Sequence, residues 1–208
     1  MAGAPAQRTL GGRVRLNLVG MPVVGSGQGR TIAPMPTAET FRPRPPEGDT
    51  WIAFSAEALP VEEATRWAGR PDCGAVVVFT GNARDHSPGR ADVTELAYEA
   101  YEEQAVPRMA RIVDEARRRW TDLRCVALLH RTGVVGIGEP AVVVVTSSPH
   151  REGAYASNRF CIDALKATVP IWKREAWDGG EHWGTDAQHV VDLDGLEGQS
   201  KEAAGGAS

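Results

Sequence analysis

Cysteine is scarce in this chain: Cys73, Cys125 and Cys161 are odd in number, far apart and form no Cys-x-x-Cys pair. That excludes a disulfide framework and a thiolate zinc site, and a reducing cytoplasm is the expected compartment. Long apolar runs are also missing. Residues 141–145, a run as long as any, have the length of a buried strand and fall far short of the roughly 20 residues that span a bilayer, so a soluble protein is expected. Basic charge is in deficit, with 23 Lys and Arg against 27 Asp and Glu and a net charge of −4. Nucleic acid and membrane surfaces need a broad basic face and are not expected as partners, so any anion site has to be a local island. No His-Glu-x-x-His, phosphate-binding Gly-x-x-x-x-Gly-Lys loop or Ser/His/Asp spacing occurs, and Gly136-x-Gly138 lacks the third glycine and following helix of a dinucleotide fingerprint. His182 and His189, near Glu181 and Asp186, are a scattered pair in a polar stretch, so neither a metal nor another cofactor is implied.

What is present suits one domain with extensions. At 208 residues and 42% hydrophobic, the chain can bury one substantial core. Residues 1–48 hold seven of the fourteen prolines (5, 22, 34, 36, 43, 45 and 46) and read as a disordered Pro/Gly-rich extension. Residues 192–208 end in Gly, Ala and Ser and read as a flexible tail, which leaves a folded domain over 49–191. Strands are expected at 51–54, 74–80, 93–97, 125–130 and 141–146, the second of them buried, and helices at 61–68, 103–120 and about 149–168. Strands outnumber helices and their spacing fits no repeating βαβ pattern, which predicts an α+β fold with a mainly antiparallel sheet.

The chemistry concentrates around residues 160–175. Lys166 should close a helix, Pro170 cannot continue it and pushes Val169 to an extended conformation, and Lys173 follows the break. Ile171 and Trp172 lie against that break, so both ammonium groups should emerge from a partly apolar wall that screens them less than water does. Upstream, Ser148 reads as a helix cap with Pro149 in the first helical position. His150 and Arg151 then sit at a helix N-terminus, where free N–H groups and the dipole favour an anion such as phosphate. Arg84 and His86 lie in a polar loop, residues 81–89, at the end of a strand, where sites tend to be built. Arg151 and Lys166 are fifteen residues apart on one helix, hence roughly 22 Å, too far for one small substrate. If both serve one site, the second set comes from another copy of the chain across a dimer interface.

Five segments occur together and in order: Phe79 to His86, Ile112 to Trp120, His130-Arg-Thr-Gly133, Thr146 to Arg151, and Leu165 to Glu175. In these the chain, over about residues 50–191, resembles the catalytic large subunit of molybdopterin synthase. The resemblance implies an α/β hammerhead-type fold and a homodimer core, with a small ubiquitin-like subunit docked at each end to give a heterotetramer. It further implies that the small subunit's C-terminal thiocarboxylate donates sulfur to cyclic pyranopterin monophosphate, two transfers giving the dithiolene of molybdopterin. Position by position, Lys166 and Lys173 match the family's active-site lysines, and Asn82, Ala83, Arg84, His150, Arg151, Arg174 and Glu175 its substrate pocket, to which both lysines also belong. Asn82 stands where the family often has lysine, a departure that bears on one basic contact and not on the reaction. Two other classes compete: a non-catalytic docking protein for a ubiquitin-like sulfur carrier, and a Schiff-base lysine enzyme acting on a phosphorylated carbonyl compound.

Overall fold

The structure is a computed structural model that describes residues 43–87, 92–177 and 180–184; most of the expected extension and the whole expected tail, with His189, lie outside the described residues. In chain order the elements are β1 (Thr50–Ser55), α1 (Val61–Ala68), β2 (Ala75–Asn82), β3 (Val93–Ala100), α2 (Glu102–Arg119), β4 (Val126–Arg131), β5 (Gly133–Val135), β6 (Pro140–Ser148), α3 (Arg151–Thr168), β7 (Ile171–Trp177) and β8 (Gly180–Gly184). The strands form two four-stranded sheets, ordered β1-β4-β6-β2 and β5-β3-β7-β8. Among the described residues only the β1–β4 pair is parallel, so the fold is α+β with mainly antiparallel pairing, as the sequence predicts.

The first sheet is covered on both faces, which explains why its two central strands carry near-continuous apolar runs. All six residues of β4 are buried, and their period-2 alternation divides them between two cores. Val126 and Leu128, with Val142 and Val144 of β6, pack against Met109, Ile112 and Val113 of α2 and Cys161 and Leu165 of α3. Ala127 and Leu129, with Val143 and Val145, face Ala64 and Ala68 of α1 and the Trp51 ring. Every member of the predicted α2 stripe is buried, from Ala105 through Met109, Ile112 and Val113 to Ala116. None of the helices among the described residues is long and apolar enough to cross a membrane.

Several elements depart from the sequence reading. The strand expected to be buried, β2, is half-buried from Ala75 to Phe79, because it is an outer strand with β6 as its one partner. The helix expected from residue 149 begins at Arg151. Ser148 belongs to β6 and donates to Asp122 rather than capping, while His150 takes the N-cap position with extended backbone and no side-chain cap. The glycine-rich segment contains β5, entered through Gly133 at φ 73°, a conformation that favours glycine. Beyond the Pro170 break the chain forms β7 and β8, and these were not foreseen. Residues just before Asp49 are tied to α1 and the turn after it, the Pro46 carbonyl accepting from the Trp67 indole at 3.2 Å and the Gly48 carbonyl from Arg70 at 2.8 Å.

Candidate functional site

The last turn of α3 and the first residues of β7 meet the first sheet at a cavity of about 340 Å³. Pro170 sets this junction: Val169 is extended at φ −90°, ψ 126°, and the freed Thr168 carbonyl accepts from Arg108 at 2.7 Å. Lys166 therefore stands at the helix C-terminus, the end where a cation is favoured. On β7, alternation turns Ile171, Lys173 and Glu175 into the cavity and Trp172 and Arg174 away from it. Register adds Tyr98 opposite Lys173 and Leu96 opposite Glu175, both lining the same cavity.

Of the predicted site residues, Asn82, Ala83, Arg84, Lys166, Lys173 and Glu175 line this one cavity. Three cationic side chains and one carboxylate leave a surplus of two positive charges, against −4 for the whole chain. Lys166 is exposed and forms no ion pair among the described residues. Lys173 is positioned differently. Its Nζ lies 2.9 Å from Glu175 Oε1, and Ser87 Oγ donates to the other carboxylate oxygen at 2.9 Å, so Glu175 ties the loop after β2 to the strand that carries Lys173. Asn82 and Ala83 are placed by a bulge at the end of β2. Gly81 just before them has to be small, since an added Cβ would lie 2.6 Å from Val142 Cγ1. His86, exposed, pairs with Asp85 at 2.7 Å, a contact that holds the Asp85 carboxyl below its ordinary range. The Cys161 thiol is no nucleophile for this site, because burial among apolar residues pushes its pKa up to about 12.

Arg174 does not reach the cavity. It faces the other side of the second sheet, pairing with Glu95 at 3.1 Å and Glu181 at 2.6 Å. His150 and Arg151 sit at the far end of α3, exposed, with Arg151 paired to Glu152 at 3.1 Å. The anion site expected at that helix end is already supplied with a negative group: Asp122 accepts from Ser148, and its carboxylate lies 3.3 Å from where a Cβ on Gly153 would stand. Within one chain, then, the two ends of α3 serve different surroundings.

Sequence reasoning assigned no role to Ser87, Tyr98 or His130, although all three line the cavity. His130 ends an apolar run that read as a strand, and it opens the segment His130-Arg-Thr-Gly133, which entered the resemblance without a role for the histidine. Tyr98 falls just past the end placed on the third strand, whose alternation continues to Ala100.

The arrangement defines a class: an α+β protein with a cationic, part-apolar cavity that can gather anionic groups around two lysines. Residues 54–168 match the family described as MoaE protein. A molybdopterin synthase catalytic subunit from Culex quinquefasciatus is 41% identical over 134 residues, covering 64% of this chain and 85% of that protein. The structure of molybdopterin synthase from Staphylococcus aureus has a TM-score of 0.60 at 35% identity, covering 68% of this chain and 98% of that one. A complex of subunits 1 and 2 of molybdopterin-converting factor from Helicobacter pylori gives a TM-score of 0.55 over 72% of this chain and 99% of that one, at 21% identity a likeness of fold alone. This chain belongs to the MoaE family.

Proposed function

We propose that this chain is the catalytic subunit of a molybdopterin synthase and acts in molybdenum-cofactor biosynthesis. The donor is the C-terminal thiocarboxylate of a small ubiquitin-like subunit, the acceptor is cyclic pyranopterin monophosphate, and two sulfur transfers build the dithiolene as the cyclic phosphate opens. The observation that carries the reading is the gathering of Arg84, Lys166 and Lys173 around one cavity in a chain of net negative charge. Donor and acceptor are both anions, so bringing them together requires a fixed cationic surrounding, and cations in a partly apolar cavity interact more strongly than in water. Lys166, exposed at the helix end, neutralises the tail terminus and exchanges protons with the attacked carbon. Lys173, held by Glu175, and Arg84 orient the phosphate and pterin. His150 and Arg151 join this site from a second copy of the chain, in a homodimer flanked by two small subunits, because the length of α3 removes them from the cavity of their own chain. The domain that does this spans residues 49–191.

The test is conversion of cyclic pyranopterin monophosphate to molybdopterin by the purified protein with a thiocarboxylated small subunit, beside Lys166→Ala. Dithiolene formed by the wild type and lost by at least ~100-fold in the variant is the expected result. A stable complex with the small subunit but no product from the wild type would leave a docking protein instead.

A further inference from the structure

We propose that His130 is the general base that frees each transferred sulfur from its carrier, a role that rests on the reaction proposed above. His130 is 5% exposed, lies near the end of β4 and lines the cavity with Lys166 and Lys173. Its Nδ1 is 2.7 Å from the carbonyl oxygen of Arg131. A carbonyl only accepts, so Nδ1 carries the hydrogen and donates it, and Nε2 is the ring nitrogen assigned here as the base. The ring plane is held by Tyr98, edge-to-face at 5.1 Å between centroids, and by Phe54 at 6.2 Å. Tautomer and orientation are both set before a substrate arrives, as a general base requires.

The chemistry needs such a base. Attack of the thiocarboxylate sulfur on a substrate carbon forms a carbon–sulfur bond as a carbon–oxygen bond at that carbon breaks, its electron pair leaving with the oxygen, and the acyl carbon of the tail is then joined to the substrate through a thioester. To finish the transfer, a water oxygen bonds to that acyl carbon and the acyl carbon–sulfur bond breaks. The electron pair departs with sulfur as the substrate thiolate, one water proton passes to Nε2 of His130, and the other is lost to solvent as the tail leaves as a carboxylate. No oxidant or reductant enters.

Among the described residues, the other charged or titratable groups facing the cavity are Arg84 and His86 from the loop after β2, Tyr98 of β3, Lys166 of α3, and Lys173 and Glu175 of β7. The arginine and lysines are committed as cations to the anionic reactants, Glu175 already accepts from Lys173 and Ser87, and His86 is turned to Asp85.

His130→Asn separates this role from a structural one, because the Asn amide nitrogen stands about where Nδ1 does and keeps the bond to the Arg131 carbonyl, yet offers no basic nitrogen. With the thiocarboxylated small subunit and cyclic pyranopterin monophosphate, turnover should fall about 100-fold or more. A covalent adduct with the mass of small subunit plus substrate should accumulate in intact-mass spectra and discharge faster as pH is raised, since hydroxide replaces the base. His130→Gln, tested alongside in case the Asn variant does not fold, should accumulate the same adduct. Wild-type turnover in either variant, or lost turnover without adduct, overturns the assignment. Silence of the wild-type complex overturns the sulfur transfer itself, and the two failures are thereby told apart.

Discussion

Replacing Glu175 tests the construction of the site most directly. Its side chain is 6% exposed, that of Lys173 is 20% exposed, and the two meet at 2.9 Å, with Ser87 donating to the second carboxylate oxygen. Glu175→Ala takes the carboxylate from a nearly buried ammonium, removes the anchor of the loop after β2 and opens a void. Breaking a buried pair from one side costs about 3–5 kcal/mol, and the partial exposure of Lys173 places this case near the lower end, about 3 kcal/mol. Glu175→Gln keeps the volume and an accepting oxygen and should cost only about 1–2 kcal/mol. Urea unfolding followed by the fluorescence of the six tryptophans measures both. With a slope of about 1–3 kcal/mol per molar urea, the Ala variant should shift the midpoint down by about 1–3 M, at unchanged slope. A cycle with Lys173→Met should show a coupling of about 1–3 kcal/mol. If Glu175→Ala lies within about 0.5 kcal/mol of the wild type, the pair behaves as a surface contact and the argument that Glu175 holds Lys173 in place fails.

Two further predictions concern the scaffold. In Gly74→Ala the new Cβ would lie 2.5 Å from the Pro149 carbonyl oxygen, a backbone atom that cannot swing aside, so a loss of about 1–3 kcal/mol is expected; a melting temperature equal to the wild type's would refute it. Glu115 accepts from Arg118 and Arg119, and the Arg118 contact foremost holds its carboxyl down to about 2. Since the folded value lies below the ordinary one, the stabilisation is fully present above the usual carboxylate range and is lost as pH falls towards about 2. Glu115→Gln should therefore flatten the decline of stability between about pH 4.5 and pH 2, and an acid limb identical to the wild type's would contradict the assignment.

Local pattern was enough for the parts of this protein whose neighbours are close in sequence. The stripe from Ala105 to Ala116 recurs at helical spacing, and the runs in β4 and β6 are apolar on both faces, so each announces its element and its burial without reference to the rest. The end of α3 at the Pro170 break is equally local, because it follows from a missing N–H and a ring clash. Even the separation of Arg151 from Lys166 needed only the rise of a helix. The strands β7 and β8 were hidden for a physical reason. Lys173 and Glu175 face a polar cavity while Arg174 faces carboxylates on the other side, so no apolar alternation marks the strand, and its partner β3 lies more than seventy residues earlier. The cavity is non-local in the same way: strand order and register, not spacing along the chain, bring residues 81–87, Tyr98, His130 and the 165–175 segment together. The sequence alone determined which side chains carry the charge and where the helix beneath them stops. Only tertiary structure decided that Arg174 turns away, that Glu175 holds Lys173, and that a histidine ending an apolar run looks into the site, because each depends on pairing between segments whose order no local pattern encodes.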